Sequence, residues 1–226
     1  MRRHNVIILT NPVGFVRERG GICACDRPER RSTLAVITIS RQLGSLGTAV
    51  AQAAADELGY RLVWRESINQ AALRAGTPEM ALATIDELGL LGLSPSPKER
   101  KAYQAALEQV MIELAREGNV VILGRAGQAI LHGEPGVLHV RLVAPVQVRA
   151  KRLAEKHSIP LDCAMAQIEA SDQHRRRLIK YFYNFNWDDP SLYDLIINTG
   201  RMAPQAAAAL ICAALSYVQP SSQSQE

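Results

Sequence analysis

ITISRQLGSLGTAVAQAAADELGY, residues 37–60, is the stretch that decides how the rest of this chain is read. It continues an apolar run, LAVITIS at 34–40, that is rich in β-branched residues and reads as a strand buried on both faces. Gly44 and Gly47 break the run, and the Ala-rich residues 47–59 then have helix composition and end in Gly59, a good stop signal. A strand, a glycine turn and a helix form the layout in which backbone N–H groups converge on an anion, with the partial positive charge of the helix start behind them. Gly44, Ser45, Leu46, Gly47 and Thr48 are therefore the candidate phosphate cradle. The full motif, G-x-x-x-x-G-K-[ST], carries a lysine. None is present here, although the hydroxyls of Ser45 and Thr48 remain.

Strand and helix signals alternate over the rest of the chain. YRLVW (60–64) is a second strand candidate, NVVILG (119–124) a third, GVLHVRLVA (136–144) a fourth and YDLIINT (193–199) a fifth. Helical patterns separate them, including a long one at KERKAYQAALEQVMIELAREG and an Ala-rich one near the end. Strands separated by helices imply a parallel sheet covered on both faces. Residues 66–117 lack strong strand signals and read as an all-helical excursion.

Two further clusters carry charge suited to phosphate. Arg125 comes after the third strand in LGRAGQAIL, at the edge of the sheet where doubly wound folds bind ligands, and its planar fork suits a phosphate. In SDQHRRRLIKYFYNFNWDD, Asp172 lies three and four residues from Arg175 and Arg176 and shares a helix face with them.

Composition narrows the function class. Of the net charge of +4, residues 1–31 hold all: seven arginines stand there against Glu18, Asp26 and Glu29, and the remaining 19 basic and 19 acidic residues balance. The basic pI thus belongs to the N-terminal segment and gives no argument that the body of the chain binds nucleic acid or an anionic membrane. No window of about 20 apolar residues predicts a membrane span, and the N-terminal apolar run Val6–Leu9 is too short for a secretory leader. The four cysteines suggest no disulfide framework, and the lone C-x-C of Cys23 and Cys25 is a weak metal signal. A cytoplasmic protein without a dedicated metal site is the expectation. Residues 1–32 read as a poorly ordered basic extension and 219–226 as a polar tail.

Taken in order, these features resemble the cytidylate kinase-like family, within the P-loop nucleoside monophosphate kinases. The resemblance runs from about 34 to 201 and rests on the phosphate turn, VVILGRAGQAIL, LHVRLVAPVQVRAKRL and DQHRRR with the later WDDPSLYDLIINTGR. It implies an α/β fold: a doubly wound parallel sheet of five strands in a domain spanning 33–218, with a helical monophosphate-binding lobe at 66–117 and a lid at 156–190. It implies ATP and Mg²⁺ as cofactors and nucleotides or other phosphorylated small molecules as partners. By position Gly44 to Thr48 cradle the donor phosphates, Arg125 holds the acceptor phosphate, and Arg149 and Arg152 form a basic pair after strand four. Asp172, Arg175 and Arg176 fall in the lid; the resemblance implies that Arg149 and Arg152 bind ATP, that Asp172 joins Arg125 in binding the acceptor, and that Arg41, Arg175 and Arg176 are the catalytic cations.

The chain departs from the family pattern at defined places. Gly47 stands where the lysine is expected, Ala49 at a Ser/Thr position, Leu123 where an acid precedes Gly-Arg, and Trp64 where an aspartate ends strand two. Many members of the family lack the lysine and often carry an arginine one position later, at the place of Thr48 here. Arg41, just upstream, is the one local cation able to substitute. Two functions are compatible with this pattern: a phosphotransferase moving the γ-phosphoryl group of ATP to a nucleoside monophosphate (CMP-like) or related small acceptor, and a non-catalytic nucleotide or anion sensor with a degenerate loop. Under either, Gly44→Val is expected to abolish ATP binding in a folded protein.

Overall fold

The computed structural model describes residues 35–74 and 96–218. The chain divides into two units between Ser32 and Thr33, and the second unit carries the sheet and its helices. The extension expected at 1–32 with its Cys23 and Cys25, the centre of the lobe expected at 66–117, and the tail at 219–226 lie outside the described residues.

In chain order the elements are β1 (Val36–Arg41), α1 (Gly47–Leu58), β2 (Arg61–Val63), α2 (Arg65–Arg74), α3 (Pro97–Glu117), β3 (Val120–Leu123), α4 (Gly127–Ile130), β4 (Val137–Val143), α5 (Val146–His157), α6 (Leu161–Tyr183), a 3₁₀ turn (Pro190–Leu192), β5 (Leu195–Asn198) and α7 (Pro204–Leu215). The five strands form one sheet in the order β2-β3-β1-β4-β5, and every pairing is parallel. β1 is bonded to β3 on one side and β4 on the other, so the winding reverses there. The crevice that such a reversal opens lies beyond the carboxyl end of β1, and the glycine turn occupies it.

β1 is buried on both faces because it separates two apolar layers. Ile37 and Ile39 pack beneath α1 and α7 with Val50, Ala51, Ala54, Ala55, Ala207, Ala208 and Ile211. The alanines keep both helices close to the sheet. Val36 faces the other way, into a cluster with Tyr103, Leu107, Met111 and Leu114 of α3. α1 ends where the sequence signals it: Gly59 adopts φ +67° and its N–H caps the last turn.

Thr38 and His139 are paired across β1 and β4. The His139 ring is 2.7 Å from the Thr38 hydroxyl through Nδ1 and 3.1 Å from the Leu131 carbonyl through Nε2. A carbonyl only accepts, so Nε2 carries the proton and Nδ1 accepts from Thr38. Burial holds the pKa of His139 below its ordinary value, against the opposing pull of Asp194. The unfolded chain therefore binds the proton more readily than the folded one, and stability falls as pH drops below about 6.5. Thermal melts at pH 7.5, 6.5 and 5.5 are expected to show a steeper acid-side loss in the parent than in His139→Gln. Equal slopes would remove His139 as the cause.

Candidate phosphate and acceptor site

The glycine turn is held from behind by its carbonyls. Arg149 Nη1 donates to the Leu43 carbonyl at 3.3 Å, Arg152 Nη1 to that of Gly44 at 3.3 Å, and the Thr199 hydroxyl to that of Ser45 at 2.9 Å. In a trans peptide the N–H points opposite to the C=O, so the N–H groups of Gly44 and Leu46 face away from these clamps. The Ser45 hydroxyl donates to the Gln42 carbonyl at 2.8 Å, which tightens the turn. Leu46 takes a left-handed conformation with φ 58° and offers no side-chain cap to α1. The first-turn N–H groups of α1 are thus left for an acceptor from outside.

Arg149 and Arg152 accordingly lie behind the cradle. Arg149 is buried, donates through Nε to the Ala144 carbonyl at 3.0 Å, and pairs with Asp172 at 3.0 Å. Arg152 also donates to the Thr199 carbonyl at 2.8 Å. Asp172, buried on α6, is 3.8 Å from Arg175 as well, so one carboxylate ties the turn's support to α6.

In front of the sheet a cavity is lined by Ser40, Arg41, Gly124, Arg125, Gln128 and Arg175, with Tyr103, Leu178, Phe182 and Trp187 as apolar walls. Arg125 reaches it from a strained backbone: Gly124, Arg125 and Ala126 have φ 81°, 52° and 57°. A left-handed non-glycine residue costs about 1–2 kcal/mol, and such conformations gather where function holds them. Arg125 Nη2 donates to Asn69 of α2 at 2.8 Å, whereas its Nε is buried with no hydrogen-bond partner among the described residues. Unpaired buried donors are uncommon in folded proteins.

Arg176 points elsewhere. It donates through Nε to Asp188 at 2.5 Å and is half exposed. The structure therefore brings Arg41, Arg125 and Arg175 together on the cavity and puts Arg149, Arg152 and Asp172 behind the turn, with Arg176 on the outer rim. Leu123 is a core residue, and Trp64 packs against the same α1–α7 layer instead of lining the cavity.

Sequence reasoning misses the group that anchors the far wall. Arg141, buried in β4, donates to the Trp187 carbonyl, to the Tyr193 hydroxyl and to Asp188. Its guanidinium lies 4.2 Å from the centre of the Trp187 ring, and the indole N–H donates to the Ser40 hydroxyl at 3.0 Å. Burial alone would raise the Asp188 carboxyl, but hydrogen bonds from Arg176 and Arg141 outweigh it and hold its pKa below the usual range. The available signal was a lone arginine inside an apolar strand, because a charge there demands partners.

Among the described residues no group of three or more metal-binding side chains exists, and no helix is long and apolar enough to cross a membrane. The family model for the cytidylate kinase-like family matches residues 36–201. A cytidylate kinase of Pyrococcus horikoshii is 31% identical over 186 residues, covering 82% of this chain and 90% of that protein. One from Thermococcus kodakarensis is 30% identical over 187 residues, with 82% and 90% covered. Among solved structures, a protein from Eubacterium ventriosum superposes with a TM-score of 0.65 at 19% identity over 80% of this chain and 98% of its own. Shikimate kinase from Bacteroides thetaiotaomicron gives 0.50 at 14% identity, with 80% and 98% covered. These two likenesses concern the fold, which is that of P-loop kinases.

Proposed function

The chain belongs to the cytidylate kinase-like family, and we propose that it is a nucleotide kinase that passes the γ-phosphoryl group of ATP to a nucleoside monophosphate, CMP or a close relative. The observation that carries this reading is the pairing of the glycine turn at 44–48 with Arg125, which lines the adjoining cavity. In the reaction a phosphate oxygen of the acceptor attacks the γ-phosphorus. The bond to the β–γ bridging oxygen breaks, and ADP leaves with the electron pair. Little covalent chemistry falls to the protein, so positioning and charge neutralisation supply the catalysis.

In this reading the N–H side of Gly44 to Thr48 holds the donor phosphates, Arg125 holds the acceptor phosphate, and Arg175 neutralises charge from α6. Arg149, Arg152 and Asp172 position the cradle, and Arg176 braces the segment around Asp188. The cradle fits ATP. Among the described residues no group of three or more His, Cys, Asp or Glu side chains gathers to hold a metal ion, which suits an Mg²⁺ carried largely by the substrate's phosphates and water. When bound, Mg²⁺ would offset charge on those phosphates. Soluble nucleotide substrates fit a cytoplasmic setting.

The test is ADP release from ATP·Mg²⁺ with each nucleoside monophosphate in turn, and with phosphorylated or hydroxylated small molecules as controls. Release dependent on a pyrimidine monophosphate is expected. Tight ATP binding without release for any acceptor would favour the sensor reading.

A further inference from the structure

We propose that Arg41 is the phosphate-loop cation of this protein, and that Gly47 is glycine because the stem of that side chain lies across it. The proposal rests on the kinase reading and names the group that does the work of the absent lysine. Arg41 is the last residue of β1 and continues the face of Ile37 and Ile39 that α1 covers. Past the strand end its side chain has no core to enter. It runs instead between the first residue of α1 and the end of β3.

The path is defined by what a methyl group would meet. A Cβ built on Gly47 would stand 2.6 Å from Arg41 Cγ and 2.9 Å from its Cβ. A Cβ built on Gly124 would overlap Arg41 Nη1 and stand 3.0 Å from Cζ. The aliphatic stem therefore covers Gly47 and the guanidinium covers Gly124. Gly47 is the first residue of α1 and does not have a positive φ, so its backbone would accept a side chain. Arg41 is what excludes one.

Gly47 is also the position at which the motif places lysine. A lysine there and an arginine at 41 would claim the same volume and set two like charges side by side. The loss of the lysine and the presence of Arg41 are then a single exchange, in which the cation moves from the helix start to the strand end. From there the guanidinium borders the cavity shared with Arg125 and Arg175. A planar fork at that point can grip two oxygens of the phosphoryl group in transit, where an ammonium acts as a point charge.

The experiment is a double-mutant cycle of Arg41→Ala and Gly47→Ala, with Gly47→Lys then made in both the parent and the Arg41→Ala background. Each protein is scored for kcat, for ATP·Mg²⁺ affinity by calorimetry and for its thermal midpoint. Arg41→Ala is expected to lower kcat by about 10²–10³-fold, the usual loss for one aimed charged donor. Gly47→Ala, a favourable change for an isolated helix, is expected to lower kcat at least tenfold by displacing Arg41, and to cost much less once Arg41 is alanine, when only the 2.9 Å approach of the two Cβ atoms remains. Gly47→Lys is expected to be inactive alone and to regain at least tenfold in the Arg41→Ala background. The proposal is overturned if Arg41→Ala keeps the parent kcat and ATP affinity, or if the effects of the two alanine substitutions simply multiply. A parent that binds ATP but transfers nothing would overturn the kinase reading alone. ATP affinity across the same variants would then still decide for or against Arg41. Should Arg41→Ala melt below the assay temperature, Arg41→Lys, which keeps the charge on a shorter reach, is expected to lie between parent and null. Full activity in that variant would overturn the proposal.

Discussion

Gly44→Ala is expected to lower stability by about 2–5 kcal/mol and to abolish ATP binding. Gly44 sits at φ +81°, and a Cβ there would lie 2.8 Å from the Arg149 carbonyl oxygen and 3.0 Å from its Cα. The neighbour is backbone at the buried side of α5, so it cannot step aside as a flexible side chain would. The left-handed conformation adds about 1–2 kcal/mol for a non-glycine residue and the overpacking about 1–3 kcal/mol. In a domain of this size each kcal/mol moves the thermal midpoint by roughly 2–4 °C, giving a drop of about 4–20 °C. The sequence alone predicts that Gly44→Val removes ATP binding from an otherwise sound protein. The packing of the turn on Arg149 adds a stability loss to that expectation, and valine adds β-branching to the same clash. An unchanged melting curve for Gly44→Ala would mean that the turn does not rest on α5 as described.

Arg125→Ala is expected to weaken acceptor binding at least about tenfold, and on the order of a hundredfold where both arms of the fork engage the phosphate. Charge-assisted hydrogen bonds contribute about 1.5–3 kcal/mol each, and about 1.4 kcal/mol is a factor of ten. ATP affinity should stay near the parent value, because the donor cradle is built from other residues. Lysine should rescue only part of the loss, since it keeps the charge without the fork. The backbone supplies an internal control. Arg125 is held at φ 52°, so Arg125→Gly should be more stable than Arg125→Ala by about 0.5–1 kcal/mol while binding acceptor no better. Isothermal titration with CMP and thermal melts read both effects. Unchanged acceptor affinity in Arg125→Ala would remove it from the site, and an unfolded variant would make it a structural residue.

Much of the fold is legible in the sequence because it depends on local patterns. The β-branched run before Gly44, the stop at Gly59 and the apolar run 120–123 each act within a few residues, and the strands form where those patterns lie. Gly44 and Arg125 are legible for the same reason, since each stands at a strand end where a parallel sheet exposes ligands. The division of labour among the remaining arginines is not legible. Arg149, Arg152 and Arg176 look alike in sequence, yet two of them bind carbonyls behind the turn and one binds Asp188. Those partners are brought near by the sheet order, which no local pattern encodes. Gly47 shows the limit most clearly. In sequence it is a missing lysine, and only the course of the Arg41 side chain shows what fills the space.

The central claim, that ATP's γ-phosphoryl group moves to an acceptor phosphate held at Arg125, is tested most directly by ³¹P NMR of the parent protein and Arg125→Ala mixed with ATP, Mg²⁺ and CMP. The parent is expected to convert ATP and CMP to ADP and CDP, with the β-phosphorus of CDP growing in as the γ-signal of ATP fades. Arg125→Ala is expected to do so at least tenfold more slowly at subsaturating CMP. An unchanging ATP spectrum with CMP and every other nucleoside monophosphate, or equal rates for the two proteins, would contradict the claim.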